Sequence, residues 1–413
     1  MSSNPAARVR PAGPAWLTLG YAALLAYGTL YPLSGWRPPP VDLATLFAAS
    51  LHMPAARADL LTNLLVYLPL GLLIGLRRRE RGRGGAIAAA ALAGLALSTV
   101  LECLQAFLPE RTPSLLDIGL NGLGAGTGAL LPFLVSGDTR LGHELARWRH
   151  ERFRDGALAD LGLVVLALWA LAHLSPLVPS IDLGNLRSGL SPLWHTLHAP
   201  ARFDPGVALA YLLAILALGW IARDLWRAPP RQFPPVFAVF VAGVQALKVP
   251  VMTRQLSLEA VLAAALALAA LLLTTHWRAP LRWRASVAAL IAAYAVEQLR
   301  PALDPDAPRH VFSWELFAPQ MRSLDGLADI LAVAWMFVAA AYLARRRWPA
   351  AGLWPGVLAA GGIAAFAFAF EWSQQYLPGR YGEVSDVLVA ALAWLAAWSA
   401  SGASTRPAGE AAR

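Results

Sequence analysis

The chain is poor in cysteine, lysine and charge. Its one cysteine, Cys103, excludes an intramolecular disulfide and a thiolate metal cluster. Lysine also occurs once, at Lys248, against 33 arginines, a bias that accompanies GC-rich bacterial genomes. Charged residues make up 14% of the chain, well below the ~25% of soluble domains. No H-E-x-x-H, G-x-S-x-G, P-loop or paired C-x-x-C pattern is present, so none of the chemistry those motifs carry is legible.

What fills the chain is apolar. Hydrophobic residues reach 57% and mean hydropathy is +0.51, the composition of an integral membrane protein. A spanning helix needs ~20 apolar residues, and twelve candidate segments centre near Ala23, Val66, Leu95, Ala125, Val165, Leu212, Phe240, Ala264, Ile291, Val333, Ala364 and Ala391. The expected fold is all-α, a polytopic transmembrane helical bundle of about 12 helices. Arg8 and Arg10 precede the first segment, which is long, aromatic and without a small-residue cleavage site, and so reads as an uncleaved helix. Alternate loops and the two termini hold 23 of the 34 basic residues. This asymmetry predicts a multi-pass protein of the cytoplasmic (inner) membrane with both termini cytoplasmic. The net charge of +9 then reflects orientation and anionic headgroups, with no nucleic acid required.

One polar constellation is written twice with the spacing E-x2-Q-x5-R-x5-D. It comprises Glu102, Gln105, Arg111 and Asp117, then Glu371, Gln374, Arg380 and Asp386. A second recurrence, LHMPAARAD at 51–59, LHAPARFD at 197–204 and LFAPQMRSLD at 316–325, places Arg57, Arg202 and Arg322 at matching points and predicts three parallel four-helix repeats. The expected divisions are an N-terminal cytoplasmic tail at 1–14, units at 15–136, 157–275 and 283–402, a basic cytoplasmic linker at 137–156 and a disordered tail at 403–413. Parallel repeats differ from the inverted repeats of many transporters. The short stretches TLFAASL, PLWHTL and FSWELF suit the outer interface, where Trp and Phe are favoured. RLGHELARWRHERFRDG reads as a cytoplasmic surface helix or a solvated linker.

DLLTNLLVYLPLG at 59–71, together with Glu102, Gln105, Arg111, Asp117 and Asn121, resembles the VanZ-like membrane proteins. The resemblance covers the first unit almost completely. The third has Asp329 in place of Asn63 and Ala390 in place of Asn121; the second keeps Arg202, Asp204, Gln245 and Arg254 but has Ala at the Glu position and a longer turn. Family members typically carry one such unit. The resemblance implies a place in the bacterial cell envelope and an association with glycopeptide antibiotics. It implies no settled biochemical activity.

Ionisable groups near membrane depth mark either a site or a structural clamp. The candidates are Asp59, Asn63, Glu102, Gln105, Arg111, Asp117 and Asn121 in the first unit, with Asp325, Asp329, Glu371, Gln374, Arg380 and Asp386 in the third. Under the clamp reading, Arg111 bridges Glu102 and Asp117 while carboxylates sit at helix starts. Under the binding reading, Arg111 and Arg380 hold a phosphate or anionic lipid headgroup and the carboxyl and amide groups meet hydroxyls. A catalytic reading uses Glu102 as general base with Arg111 stabilising negative charge; transport and a ligand-free scaffold complete the alternatives. The middle unit is expected to act as a packing spacer. Membrane lipids, including lipid-linked envelope precursors, are the expected partners, with no cofactor and no metal. His52 and His198 match in position, but the third unit has Phe317 there, which favours interfacial hydrogen bonding over metal ligation. GLGAGTG at 122–128 lies in an apolar helix with no preceding strand, and is read as close helix packing through small residues rather than a nucleotide fingerprint.

Overall fold

The computed structural model describes residues 15–52, 57–109, 111–136, 138–302, 304, 306–322 and 325–402. The expected tails at 1–14 and 403–413 lie outside the described residues, as do the side chains of Arg57, Asp59 and Arg322. Among the described residues the named elements are all helices, and β pairing is confined to isolated bridges.

Two compact units divide the chain, 1–148 and 149–413. The first holds α1 (Ala15–Leu30), α2 (Leu43–Ser50), α3 (Arg57–Arg77), α4 (Gly82–Gln105) and α5 (Leu115–Leu134), followed by α6 (Arg140–Arg152), within which the boundary falls. The second holds α7 (Ala157–Leu174), α8 (Leu183–His198), α9 (Pro205–Leu225), α10 (Phe233–Leu247), α11 (Leu258–Leu273) and α12 (Ala279–Leu299). It continues with α13 (Ala318–Arg322), α14 (Gly326–Arg347), α15 (Leu353–Gln374) and α16 (Val384–Gly402).

Each of the twelve apolar segments forms a helix. Seven of them, α3, α4, α7, α9, α14, α15 and α16, are long and apolar enough to cross a membrane. The other five fall short for identifiable reasons. Helices α1, α10 and α11 have 16, 15 and 16 residues; α5 is diluted by glycines and Asn121, and α12 by Arg282, Arg284 and Glu297. The surface helix expected at 140–156 is α6, whereas FSWELF runs extended and into a turn, with α13 starting just after it.

Local chemistry sets the helix starts. Asp42 caps α2 through Thr45 N at 2.9 Å, Ser114 caps α5 through Asp117 N at 3.2 Å, and Asp204 caps α9 through Gly206 N at 2.8 Å and Val207 N at 3.1 Å, each satisfying N–H groups a helix start leaves open. The exposed Asp42 carboxyl is held below its ordinary pKa by the Thr45 hydroxyl and then by the backbone N–H groups it accepts from.

In the first unit α5 packs against α3 and α4. The α3–α5 approach depends on missing side chains: a Cβ on Gly71 would stand 1.8 Å from Ala125 O, on Gly124 2.2 Å from Leu64 O, and on Gly128 2.0 Å from Leu68 O. GLGAGTG is therefore a packing surface, as its setting in an apolar helix implied.

In the second unit α9 packs on α11 and α12, α7 on α14, and α14 and α15 on α16. Segments from 157–275 and 283–402 thus interleave around one core that includes Val165, Trp169, Ile215, Leu218 and Ala339. One end of this body is tied by buried ions. Asp224, near the end of α9, pairs with Arg282 of α12 at 2.5 Å and with Arg346 of α14 at 3.1 Å. Beside it Arg345 donates to Ala351 O and to Trp398 O and stacks 3.8 Å from the Trp398 ring.

Candidate functional site

In the first unit Glu102, Gln105 and Asn121 are held by internal bonds. Glu102, buried at the end of α4, accepts from Ser114 N at 2.8 Å. Gln105 Nε2 donates to Thr29 O of α1 at 2.9 Å, and Asn121 Nδ2 to Ser98 Oγ at 2.8 Å. Arg111 stands exposed in the turn, Asp117 is half-buried and partnered, and Asn63 is half-buried on α3. The carboxylate of Glu102 thus holds the backbone at the start of α5, and this bond takes the place expected for an arginine bridge. Asp59 falls among the side chains outside the described residues.

The second unit repeats that clamp and opens it onto a cavity. Glu371, 1% exposed, accepts from Glu383 N at 3.1 Å, across the same twelve-residue gap that separates Glu102 from Ser114. Its other oxygen accepts from Gln374 Nε2 at 3.1 Å. Gln374 also donates to Gln298 Oε1 at 2.8 Å, reaching α12 as Gln105 reaches α1. Arg380 donates to Glu297 O at 2.6 Å and Gln298 Oε1 at 3.3 Å.

Glu371, Gln374, Arg380, Asp386 and Asp329 line one cavity of about 700 Å³, within the range of small-molecule sites. Asp325 lies beside it, accepting from Arg254 and, at 2.6 Å, from Thr253 Oγ1. The cavity reaches about two turns along α9, from Val207 to Ala214, and along α14, from Ala328 to Met336, at 3.6 residues per turn. Its polar lining, Arg254, Arg300, Arg380, Glu297, Asp329 and Asp386, comes from the ends of helices and the turns beside them, and its apolar lining, Trp169, Ala214, Val333 and Trp335, from further along the helices. Glu383 also lines it and accepts from Gln320 Nε2. Burial pushes the Glu383 carboxyl above its ordinary pKa, the Gln320 bond opposes that shift, and the charge of Asp329 adds to it.

Several lining residues escaped sequence reasoning. Lys248 and Tyr211 come from the segment read as a spacer; Gln298 and Arg300 come from the end of α12. The EQLR run at 297–300 and a lone lysine inside QALKVP were the available signals.

Among the described residues, all-helical units with seven helices long and apolar enough to cross a membrane define a polytopic helical membrane protein. A family model described as VanZ/LLP1 matches residues 18–136, so this segment is similar to that family. The match takes in helices α1 to α5 and less than a third of the chain, so the cavity lies beyond it. No curated protein and no solved structure matches the chain.

Proposed function

We propose that the protein recognises an anionic or glycosylated envelope lipid, taking the headgroup into the cavity of residues 149–413. The observation that carries this reading is the gradient in the cavity wall: arginines and carboxyls at the helix ends, and tryptophan, alanine and valine two turns in. Such a wall matches an amphiphile, whose phosphate meets guanidinium groups, whose hydroxyls meet Asp386 and Glu383, and whose apolar part meets the floor.

The charge asymmetry of the loops supports a cytoplasmic-membrane protein with the cavity end facing outward and both termini inside. Three tandem VanZ-like units are the repeat reading, supported by the matching bonds of Glu102 and Glu371. The VanZ resemblance supports an influence on susceptibility to glycopeptide and other surface-acting antibiotics.

Native mass spectrometry with lipid extraction tests this, comparing wild type with Arg380→Ala at matched melting temperature. A lipid lost only from the variant is the expected result. Identical lipid profiles would remove the headgroup reading and leave the polar network as a folding clamp.

A further inference from the structure

Lys248 closes α10, is 3% exposed and lines the cavity. Its Nζ donates to Tyr211 Oη at 3.0 Å and stands 4.8 Å from the centroid of that ring. Two other cations of the wall are ion-paired, while Arg380 bonds a backbone carbonyl and an amide oxygen. Arg254 is paired with Asp325, and Arg300 with Asp204 at 3.0 Å; among the described residues no carboxylate lies within ion-pair distance of Lys248. A phenol and an aromatic face compensate a buried ammonium only in part, and an anion entering the cavity would complete its neutralisation.

On the repeat reading, with Gln245 set against Gln105 and Gln374, Ala242 stands where Glu102 and Glu371 stand, and Lys248 where Leu108 and Leu377 stand. At these two positions the middle segment carries an ammonium and no carboxylate, and on that reading it is more than a spacer.

We infer that Lys248 is an anion anchor, binding the phosphate group of the ligand together with the Tyr211 hydroxyl. Arg380, in the turn between α15 and α16, meets the same headgroup from the last segment. This assignment rests on the headgroup reading and names its chemistry: a phosphate monoester or diester, gripped by a point charge on one element and a planar fork on another. Glu371 is held in the wall by its own bonds, its two oxygens accepting from Glu383 N and Gln374 Nε2. The His173 ring packs beside Tyr211, with centroids 5.6 Å apart.

The test uses the full chain in phosphatidylcholine nanodiscs, with short-chain phosphatidic acid as probe. Lys248→Met is expected to lose roughly tenfold or more in affinity, the worth of a charge-assisted bond, while Lys248→Arg keeps most of it. Because the empty site buries an under-compensated charge, Lys248→Met without lipid is expected to melt at or above the wild-type temperature. Competition by inorganic phosphate would assign the anion to a free phosphate, and its absence to a lipid; either supports the anchor. Binding by Lys248→Met within about twofold of wild type would overturn it. In that case Arg380→Ala separates the two readings: lost binding leaves the headgroup reading standing, and retained binding removes both.

Discussion

At the residue scale, the paired constellations are first of all backbone clamps. Glu371 spends both oxygens on donors, one of them the N–H that precedes α16. Removing the carboxylate strands a buried backbone donor, which costs about 1–3 kcal/mol. Glu371→Ala is therefore expected to lower unfolding stability in detergent by about 2 kcal/mol, and Glu102→Ala to act in the same direction through Ser114 N; unchanged melting would refute the clamp. Glu383 gives a pH signature. Its folded carboxyl binds its proton more tightly than the ordinary 4.5, so the stability it contributes is full below that value and is lost as pH rises through the raised one. Glu383→Gln should flatten that decline and raise the melting temperature at neutral pH, as read from thermal unfolding at a series of pH values.

Among elements, the α3–α5 seam makes the sharpest demand on sequence. Gly71, Gly124 and Gly128 each let a facing carbonyl approach closer than any Cβ permits, while Gly119 on the same α5 has nothing within 4 Å of where its Cβ would be. Gly124→Ala and Gly128→Ala are expected to destabilise the first unit by roughly 1–3 kcal/mol, the usual penalty of overpacking, and Gly119→Ala by almost nothing. Equal melting temperatures for all three variants would show that the helices can part freely. The helices were legible in the sequence because long apolar runs have few alternatives in a membrane. The clamp residues were legible because Glu, Gln, Arg and Asp recur at fixed spacing. Their partners were not, since Ser114 N, Thr29 O and Glu297 O are backbone groups that any residue supplies. The arginine run at 345–347 belongs to the basic loops whose charge predicts the topology, yet Arg345 is 4% exposed and folded over Trp398. A count of charges does not distinguish a guanidinium in water from one held by helix-end carbonyls.

For the whole molecule, the decisive feature is that residues 149–413 are stitched at both ends of the helices. At the cavity end Asp204, the cap of α9, pairs with Arg300 of α12, and Arg254 with Asp325 before α14. At the other end Asp224 holds Arg282 and Arg346 with its side chain 3% exposed. Between these ties, α7 packs on α14 and α9 on α12, so the segments before and after residue 278 share one core and neither encloses the cavity alone. A chain cut between α11 and α12 by an inserted protease site is accordingly expected to stay together through size-exclusion chromatography in detergent. Asp224→Asn should weaken that body by up to about 3 kcal/mol, because it leaves the partly buried guanidinium groups of Arg282 and Arg346 without their charge partner; an unchanged melting temperature would refute the tie. Separate elution of the two cut fragments would mean that the halves fold independently and that the cavity is a contact between them.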